Sequence, residues 1–168
     1  ITFITTPNNP TGTSTPYADL EELAIACSEV KGLLVIDEAY AEFSQEKSAV
    51  NLIAQYPNVV VVRTMSKAFA FAGARVGYAV CNEAVVDAML VTRLPYHLSS
   101  TTQALALVAL DNSKALLAEV DALIAERHRV TSQLTKLGFE VSPSSANFLL
   151  FSGFKGDSKT AWESLVAA

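Results

Sequence analysis

The feature that most narrows what this chain can become is a pair of short apolar runs, Gly32-Leu33-Leu34-Val35-Ile36 and Val59-Val60-Val61-Val62. Neither alternates apolar with polar residues, so neither suits a strand with one face in water. Both suit strands buried on two faces, as in a parallel sheet, and both are short for a core helix. Ile1-Thr2-Phe3-Ile4-Thr5 is β-branched and aromatic, and it halts at the turn-rich Pro7-Asn8-Asn9-Pro10-Thr11-Gly12, which marks a further strand. Arg75 to Cys81 reads as a fourth.

Helical patterns separate these runs. Thr15 stands where an N-cap belongs, with Pro16 in the first position and Leu20, Leu23, Ala24, Cys27 and Val30 on one stripe, ended by Gly32. A short helix is expected over Val50 to Gln55, ahead of Pro57. Arg63 to Lys67 reads as a loop. Asn82 caps a helix to about Leu94, stopped by Pro95. Short buried strands alternating with helices predict an α/β fold with a mostly parallel sheet and helices on both faces. After Pro95 the pattern changes. Ser99 or Ser100 caps a helix through Leu110, and a long helix is expected from Lys114 to Leu137. Its stripe is Leu116, Val120, Leu123, Ile124, Arg127, Val130, Leu134 and Leu137, with Gly138 as C-cap. Phe139-Glu140-Val141 and Asn147 to Phe151 read as two strands around a turn, and a helix starts at Lys159. A domain boundary is expected inside the long helix, near residue 125. The chain opens without Met inside a strand and closes inside a helix, so it reads as an internal piece of a longer protein.

Composition excludes several classes. The chain is 51% apolar with a net charge of −5 and no lysine or arginine run, which argues against a nucleic-acid or anionic-membrane partner. No apolar run reaches the ~20 residues that span a bilayer. Cys27 and Cys81 are too few for a disulfide framework or a zinc cluster and read as free thiols of a cytoplasmic protein.

Three polar motifs follow three of the strands: Asn8-Asn9-Pro10-Thr11-Gly12, Asp37-Glu38-Ala39-Tyr40, and Ser66-Lys67. Ligands of parallel α/β sheets bind at the carboxyl ends of the strands, so these loops are expected to converge. The set is wrong for hydrolysis. No serine or cysteine has a histidine base, because His97 and His128 lie outside the convergent loops, and no cluster has metal-ligand spacing. It suits an aldehyde cofactor with a pyridine ring and a phosphate. Lysine forms Schiff bases, and a carboxylate against the ring nitrogen makes the ring an electron sink. Asn and Tyr donate to a phenolic oxygen, and arginine with a hydroxyl grips phosphate.

Thr6-Pro7-Asn8-Asn9-Pro10-Thr11-Gly12, Asp37-Glu38-Ala39-Tyr40-Ala41-Glu42-Phe43 and Arg63-Thr64-Met65-Ser66-Lys67-Ala68-Phe69 resemble the three signatures of the fold-type-I pyridoxal-phosphate-dependent aminotransferases. The eight-position step from Lys67 to Arg75 fits as well. Within that family the chain is most similar to the histidinol-phosphate aminotransferases, through its aromatic-rich acidic loop and Ala68-Phe69-Ala70-Phe71-Ala72-Gly73. The resemblance implies that Lys67 carries pyridoxal phosphate as a Schiff base and then moves the substrate proton. Asn9 and Tyr40 would bond the phenolic oxygen, and Asp37 the pyridinium. Ser66 and Arg75 would hold the phosphate, with Thr64 a lesser candidate. Asn147 resembles a position near the substrate, and Tyr96 with His97 forms a loop that would border it. Residues 1–125 would be the C-terminal part of the cofactor-binding large domain, and 126–168 the start of a smaller α+β domain. The family's phosphate loop, its ring-stacking aromatic and its substrate-gripping arginine have no counterparts within these residues. Substrates would be a small-molecule amino donor and a 2-oxo acid, and the assembly a homodimer.

Taken singly, each residue has an ordinary reading: Asp37 a strand-end cap, Lys67 a solvated charge, Tyr40 packing, Asn9 a turn residue. Their joint placement at successive strand ends favours the site. Arg63 reads as a structural ion pair and His128 as solvent-facing. The reading is transamination between histidinol phosphate and 2-oxoglutarate or glutamate. An aromatic-amino-acid aminotransferase, a related decarboxylase, and a regulator that binds the cofactor without turnover remain as alternatives.

Overall fold

The computed structural model describes residues 1–154 and 156–168. Strands β1 (Thr2–Thr5), β2 (Leu34–Asp37), β3 (Val59–Thr64) and β4 (Gly77–Cys81) form one sheet in that spatial order. β1, β2 and β3 run parallel, and β4 returns antiparallel to β3. The mostly parallel α/β sheet expected from the apolar runs is therefore present. β3 extends to Thr64, so Arg63 and Thr64 belong to a strand and the loop starts at Met65. An antiparallel neighbour claims both residues, because Arg63 pairs with Tyr78 and Thr64 with Gly77.

Register decides which side chains share a face. Ile4 lies beside Ile36 and Ile36 beside Val61, so these three point the same way, together with Leu34 and Val59. Helix α1 (Tyr17–Glu29) buries Leu20, Ala24 and Cys27 against that face, and Ala49 and Leu52 complete the cluster. Val35, Asp37, Val60 and Val62 point to the opposite face, where Val60 is buried and Phe3, at the β1 edge, is 74% exposed.

Three local details differ from the sequence reading. Thr15 does not cap α1. Its backbone N–H donates to the buried Thr6 hydroxyl at 2.9 Å, and Pro16 takes the cap position with no side-chain bond. At the other end Lys31, not Gly32, adopts the left-handed conformation (φ 51°), and Val30 is 77% exposed. The expected helix at Val50–Gln55 is a 3-10 turn over Ala49–Leu52, capped by the Ser48 hydroxyl.

That turn is drawn in by a charge. Glu38 follows β2 and is 3% exposed, yet its carboxylate is fully met. Oε1 accepts the Ala49 N–H at 2.6 Å, and Oε2 accepts the Ser48 hydroxyl at 2.8 Å and Arg63 Nε at 2.9 Å. Arg63 also reaches Glu42 Oε1 at 2.9 Å. Arg63 is thus the structural ion pair expected of it. Burial works against its charge, but Glu38 and Glu42 outweigh burial and raise the guanidinium above its ordinary pKa.

Helices α2 (Glu83–Thr92) and α3 (Ser100–Asp111) start at their expected caps, Asn82 and Ser99. The long helix is broken: α4 (Ser113–Leu116) is followed by α5 (Glu119–Lys136). Between them the ladder tightens to i→i−3 bonds, Ala118 to Ala115 and Val120 to Leu117. Leu117 packs against two buried clusters, one around Tyr40 and one around Met65, and this double contact overrides helical regularity. β5 (Glu140–Val141) and β6 (Phe151–Ser152) form a two-stranded ribbon, followed by α6 (Ser158–Ala167). The expected strand from Asn147 is shortened because the carbonyls of Ala146 and Phe148 bond to Arg127 and Ser144 instead of a neighbouring strand. Among the described residues no helix is long and apolar enough to cross a membrane.

Removing one partner of a buried ion pair leaves an uncompensated charge. Arg63→Met should therefore lower stability by about 3–5 kcal/mol, while the Glu38→Met/Arg63→Met double should lose much less than the sum of the two singles. Urea unfolding of the three variants measures both quantities, and a strictly additive double would mean that the pair is not coupled.

Candidate active site

The three parallel strands end at nearly one level, and the chain leaves each end in a loop that carries one of the polar motifs. The β1–β2 ladder runs one bond past the strand, from Thr6 N–H to the Asp37 carbonyl at 2.9 Å. Pro7 to Gly12 then folds back on itself: Asn8 N–H donates to Thr13 O at 2.8 Å and Gly12 N–H to Asn8 O at 2.7 Å. Asn8 is tied down further, with its amide donating to the Thr11 hydroxyl at 2.9 Å. Asn9 is left facing outward, and its amide nitrogen donates to the Tyr40 hydroxyl across 3.4 Å.

Asp37 and Tyr40 come from the turn after β2. Asp37 is half-buried, and its Oδ1 accepts the Ala39 N–H at 3.0 Å, which fixes the carboxylate. A cleft of about 60 Å³ lies between Thr5, Pro7, Asn9, Asp37, Ala39 and Tyr40. Tyr40 is 8% exposed. The Phe148 ring meets it edge-on, 5.2 Å between centroids at 85°. Lys67 is exposed, and its Nζ stands 5.3 Å from the centre of the Tyr40 ring. Four of the predicted residues, Asn9, Asp37, Tyr40 and Lys67, therefore gather around one ring and one cleft.

The remaining candidates stand as follows. Ser66 follows β3, and its N–H donates to the Thr64 hydroxyl at 3.1 Å. Thr64 in turn donates to Val76 O at 3.4 Å. The bond from Met65 N–H to Val76 O, 3.2 Å, extends the antiparallel ladder, so Ser66 and Arg75 are the next residues on its two sides. Arg75 is exposed, has a left-handed backbone (φ 55°), and donates to Ala72 O at 3.1 Å. Asn147 lines a different cleft, about 300 Å³ between α5 and the β6 segment, although Phe148 beside it touches Tyr40. Tyr96 is 99% exposed, and His97 and His128 are also on the surface. Among the described residues no group of His, Cys, Asp and Glu could hold a metal ion.

Sequence reasoning missed the segment that closes over this site. Ser145 N–H donates to Gly12 O at 2.7 Å, and Ser144 Oγ donates to Phe148 O at 2.7 Å. Arg127 Nη1 donates to both Phe43 O at 3.1 Å and Ala146 O at 2.7 Å. Burial lowers the Arg127 pKa from its ordinary value. The one signal available was an arginine within an apolar helical stripe, which usually means a partnered charge.

Chemically, the cluster offers an amine, a fixed carboxylate and two donors, a hydroxyl and an amide, with no hydrolytic nucleophile paired to a base. These are the kinds of group that a flat heteroaromatic aldehyde would need: an acid for a ring nitrogen, donors for a ring oxygen and an amine for the carbonyl carbon. The Ser144 contact sets how closely the Asn9 loop is held. Gly12 has φ +78°, and a Cβ there would collide with the Ser144 side chain. Gly12→Ala should lose about 1–3 kcal/mol in thermal or urea unfolding. A wild-type value would show that the Ser144 segment gives way freely.

The model of the family described as aminotransferase class I and II matches residues 1–168. The histidinol-phosphate aminotransferase of Mycobacterium ulcerans (strain Agy99) is 54% identical over 164 residues, which cover 97% of this chain and 42% of that protein. The crystal structure of histidinol-phosphate aminotransferase from Sinorhizobium meliloti in complex with pyridoxal-5'-phosphate superposes with a TM-score of 0.81 at 30% identity, covering 91% of this chain and 42% of that one. The enzyme of the same name from Clostridium acetobutylicum gives a TM-score of 0.90 at 26% identity, covering 98% and 51%. The chain spans about two fifths of the length of the curated relatives it matches. With the strand-end motifs in place and the family model matched from the first residue to the last, the chain belongs to the aminotransferase class I and II family.

Proposed function

We propose that this chain carries the cofactor-holding part of a pyridoxal-phosphate-dependent aminotransferase that exchanges an amino group between histidinol phosphate and 2-oxoglutarate or glutamate, a step of histidine biosynthesis. The gathering of Asn9, Asp37, Tyr40 and Lys67 at the ends of three parallel strands carries the reading. The similarity to histidinol-phosphate aminotransferases supports the substrate. Pyridoxal phosphate, when bound, supplies an electron sink for the substrate's α-carbon.

The residues divide the work. Asp37 meets the ring nitrogen and keeps it protonated. The Tyr40 hydroxyl and the Asn9 amide donate to the phenolic oxygen. Ser66 and Arg75, with Thr64 behind them, hold the phosphate, which their shared position at the end of the β3–β4 ladder allows. Lys67 Nζ would hold the aldehyde and, as an amine, would serve as the group that accepts and returns the substrate's proton. Asn147 and Tyr96 border the substrate. Residues 1–125 form part of the large domain and 126–168 begin the small one, in a cytoplasmic homodimer.

The test uses the full-length protein with pyridoxal phosphate, borohydride reduction and peptide mass mapping. The label should sit on Lys67, and Lys67→Ala should abolish it and lower kcat for histidinol phosphate with 2-oxoglutarate by about 10³-fold or more. Absence of label on Lys67 would refute the cofactor assignment. Label with preferred turnover of aromatic amino acids would move the substrate assignment, and label without any turnover would favour a ligand-sensing regulator.

A further inference from the structure

Arg127 belongs to α5, yet its guanidinium does not serve its own helix. One nitrogen, Nη1, bridges two main-chain carbonyls from distant parts of the sequence: Phe43 O at 3.1 Å and Ala146 O at 2.7 Å. Phe43 closes the 3-10 turn Ala41–Phe43 that begins directly after Tyr40, and it is 1% exposed. Ala146, also 1% exposed, sits two residues before Phe148, whose ring meets Tyr40 edge-on at 5.2 Å. The guanidinium therefore pins two of the segments packed in the cluster around Tyr40, the turn that follows it and the strap that carries Phe148. The same strap holds the Asn9 loop, through Ser145 N–H to Gly12 O at 2.7 Å. The only polar atom bonded to the Tyr40 hydroxyl among the described residues is the Asn9 amide, at a loose 3.4 Å. A bond that long does not fix the phenol. The ring's position is fixed by what packs around it.

We propose that Arg127 is a positioning residue for Tyr40: it locks the Ser144–Phe148 strap to the Tyr40–Phe43 turn and thereby sets where the Tyr40 hydroxyl stands relative to Lys67. The inference rests on the reading above that this hydroxyl serves pyridoxal phosphate. The polar contacts of Arg127 go to main-chain carbonyls and to none of Asn9, Asp37, Tyr40 or Lys67, so it acts through Tyr40. A methionine in its place fills similar volume but donates to neither carbonyl, so the strap loses its tether to the turn while the Tyr40 ring and its hydroxyl remain.

The experiment is a double-mutant cycle on the full-length protein, read as the pyridoxal phosphate Kd by ultrafiltration, well below each variant's melting temperature. Tyr40→Phe should raise Kd about tenfold, the scale of one lost hydrogen bond to a charged oxygen. Arg127→Met should raise it about five- to tenfold in the wild-type background and less than about twofold when Tyr40→Phe is already present. The melting temperature should fall equally in the two backgrounds. A merely structural arginine would weaken binding by the same factor in both, and that result overturns the proposal, as does an unchanged Kd in Arg127→Met. Should Arg127→Met fail to fold, Phe148→Leu interrupts the same path: its loss must also vanish in the Tyr40→Phe background, and a multiplicative loss refutes the idea. Wild-type protein that binds no pyridoxal phosphate would instead sink the functional reading, and this inference with it.

Discussion

A carboxylate that is 3% exposed cannot be left unmet, and the way Glu38 is met organises this end of the sheet. Its acceptors are filled by three donors: Ala49 and Ser48 on the crossover, and Arg63 on β3. Arg63 spends its remaining reach on Glu42, inside the turn that follows Tyr40. One buried cluster therefore ties the end of β2, the end of β3, the crossover and the Tyr40 turn. The exposed Arg129–Glu126 pair, both partners more than half exposed, ties nothing beyond its own helix and sits where such pairs contribute little.

The alternation of a strand turns that cluster into a foundation rather than a competitor. Asp37 and Glu38 are neighbours in sequence, so their side chains point to opposite faces. Glu38 faces α1 and the Ala49–Leu52 turn, where a charge must be compensated internally. Asp37 faces away, half-buried, with only the Ala39 N–H on Oδ1. Arg63 and Thr64 divide in the same way at the end of β3, which leaves Thr64 free to support Ser66 and the approach to Lys67. The structural charges and the chemically available ones thus occupy separate sides of one sheet edge, and an arginine placed to neutralise Glu38 does not neutralise Asp37.

Much of this was legible in the sequence because it is local. Unbroken apolar runs fix buried strands, and the order of the polar motifs after them was enough to expect that the loops bearing Asn9, Asp37, Tyr40 and Lys67 converge, as they do. Asn82, Ser99 and Gly138 were equally readable, since caps depend on a few adjacent residues. What was not legible depends on contacts across long separations. Arg127 and Phe43 are 84 positions apart, and the apolar stripe around Arg127 marks a partnered charge without naming its partner. The break between α4 and α5 follows from Leu117 filling two clusters at once, which helical periodicity cannot express. Thr15 lost its expected role as a cap because Thr6, nine positions earlier, offered its backbone a buried acceptor.

The bonds that hold the strap share one chemical feature. Arg127 bonds the carbonyls of Phe43 and Ala146, Ser145 bonds the carbonyl of Gly12, and Ser144 bonds the carbonyl of Phe148. Each acceptor is main chain, so the strap reads the path of the backbone and not the identity of the side chains along it. Asn147 sits within this strap with its own side chain uncommitted to it, exposed at the neighbouring cleft. A side chain there can change without breaking any of the bonds that hold the strap, whereas a shift of the strap's backbone moves Phe148 and, with it, Tyr40. Under the proposed function, the arrangement would separate two demands on an amino-group transferase: a fixed geometry for the residues proposed to hold the cofactor, and a neighbouring cleft whose side chains are free to differ. The first would rest on buried charges and backbone bonds, and the second on exposed side chains such as Asn147.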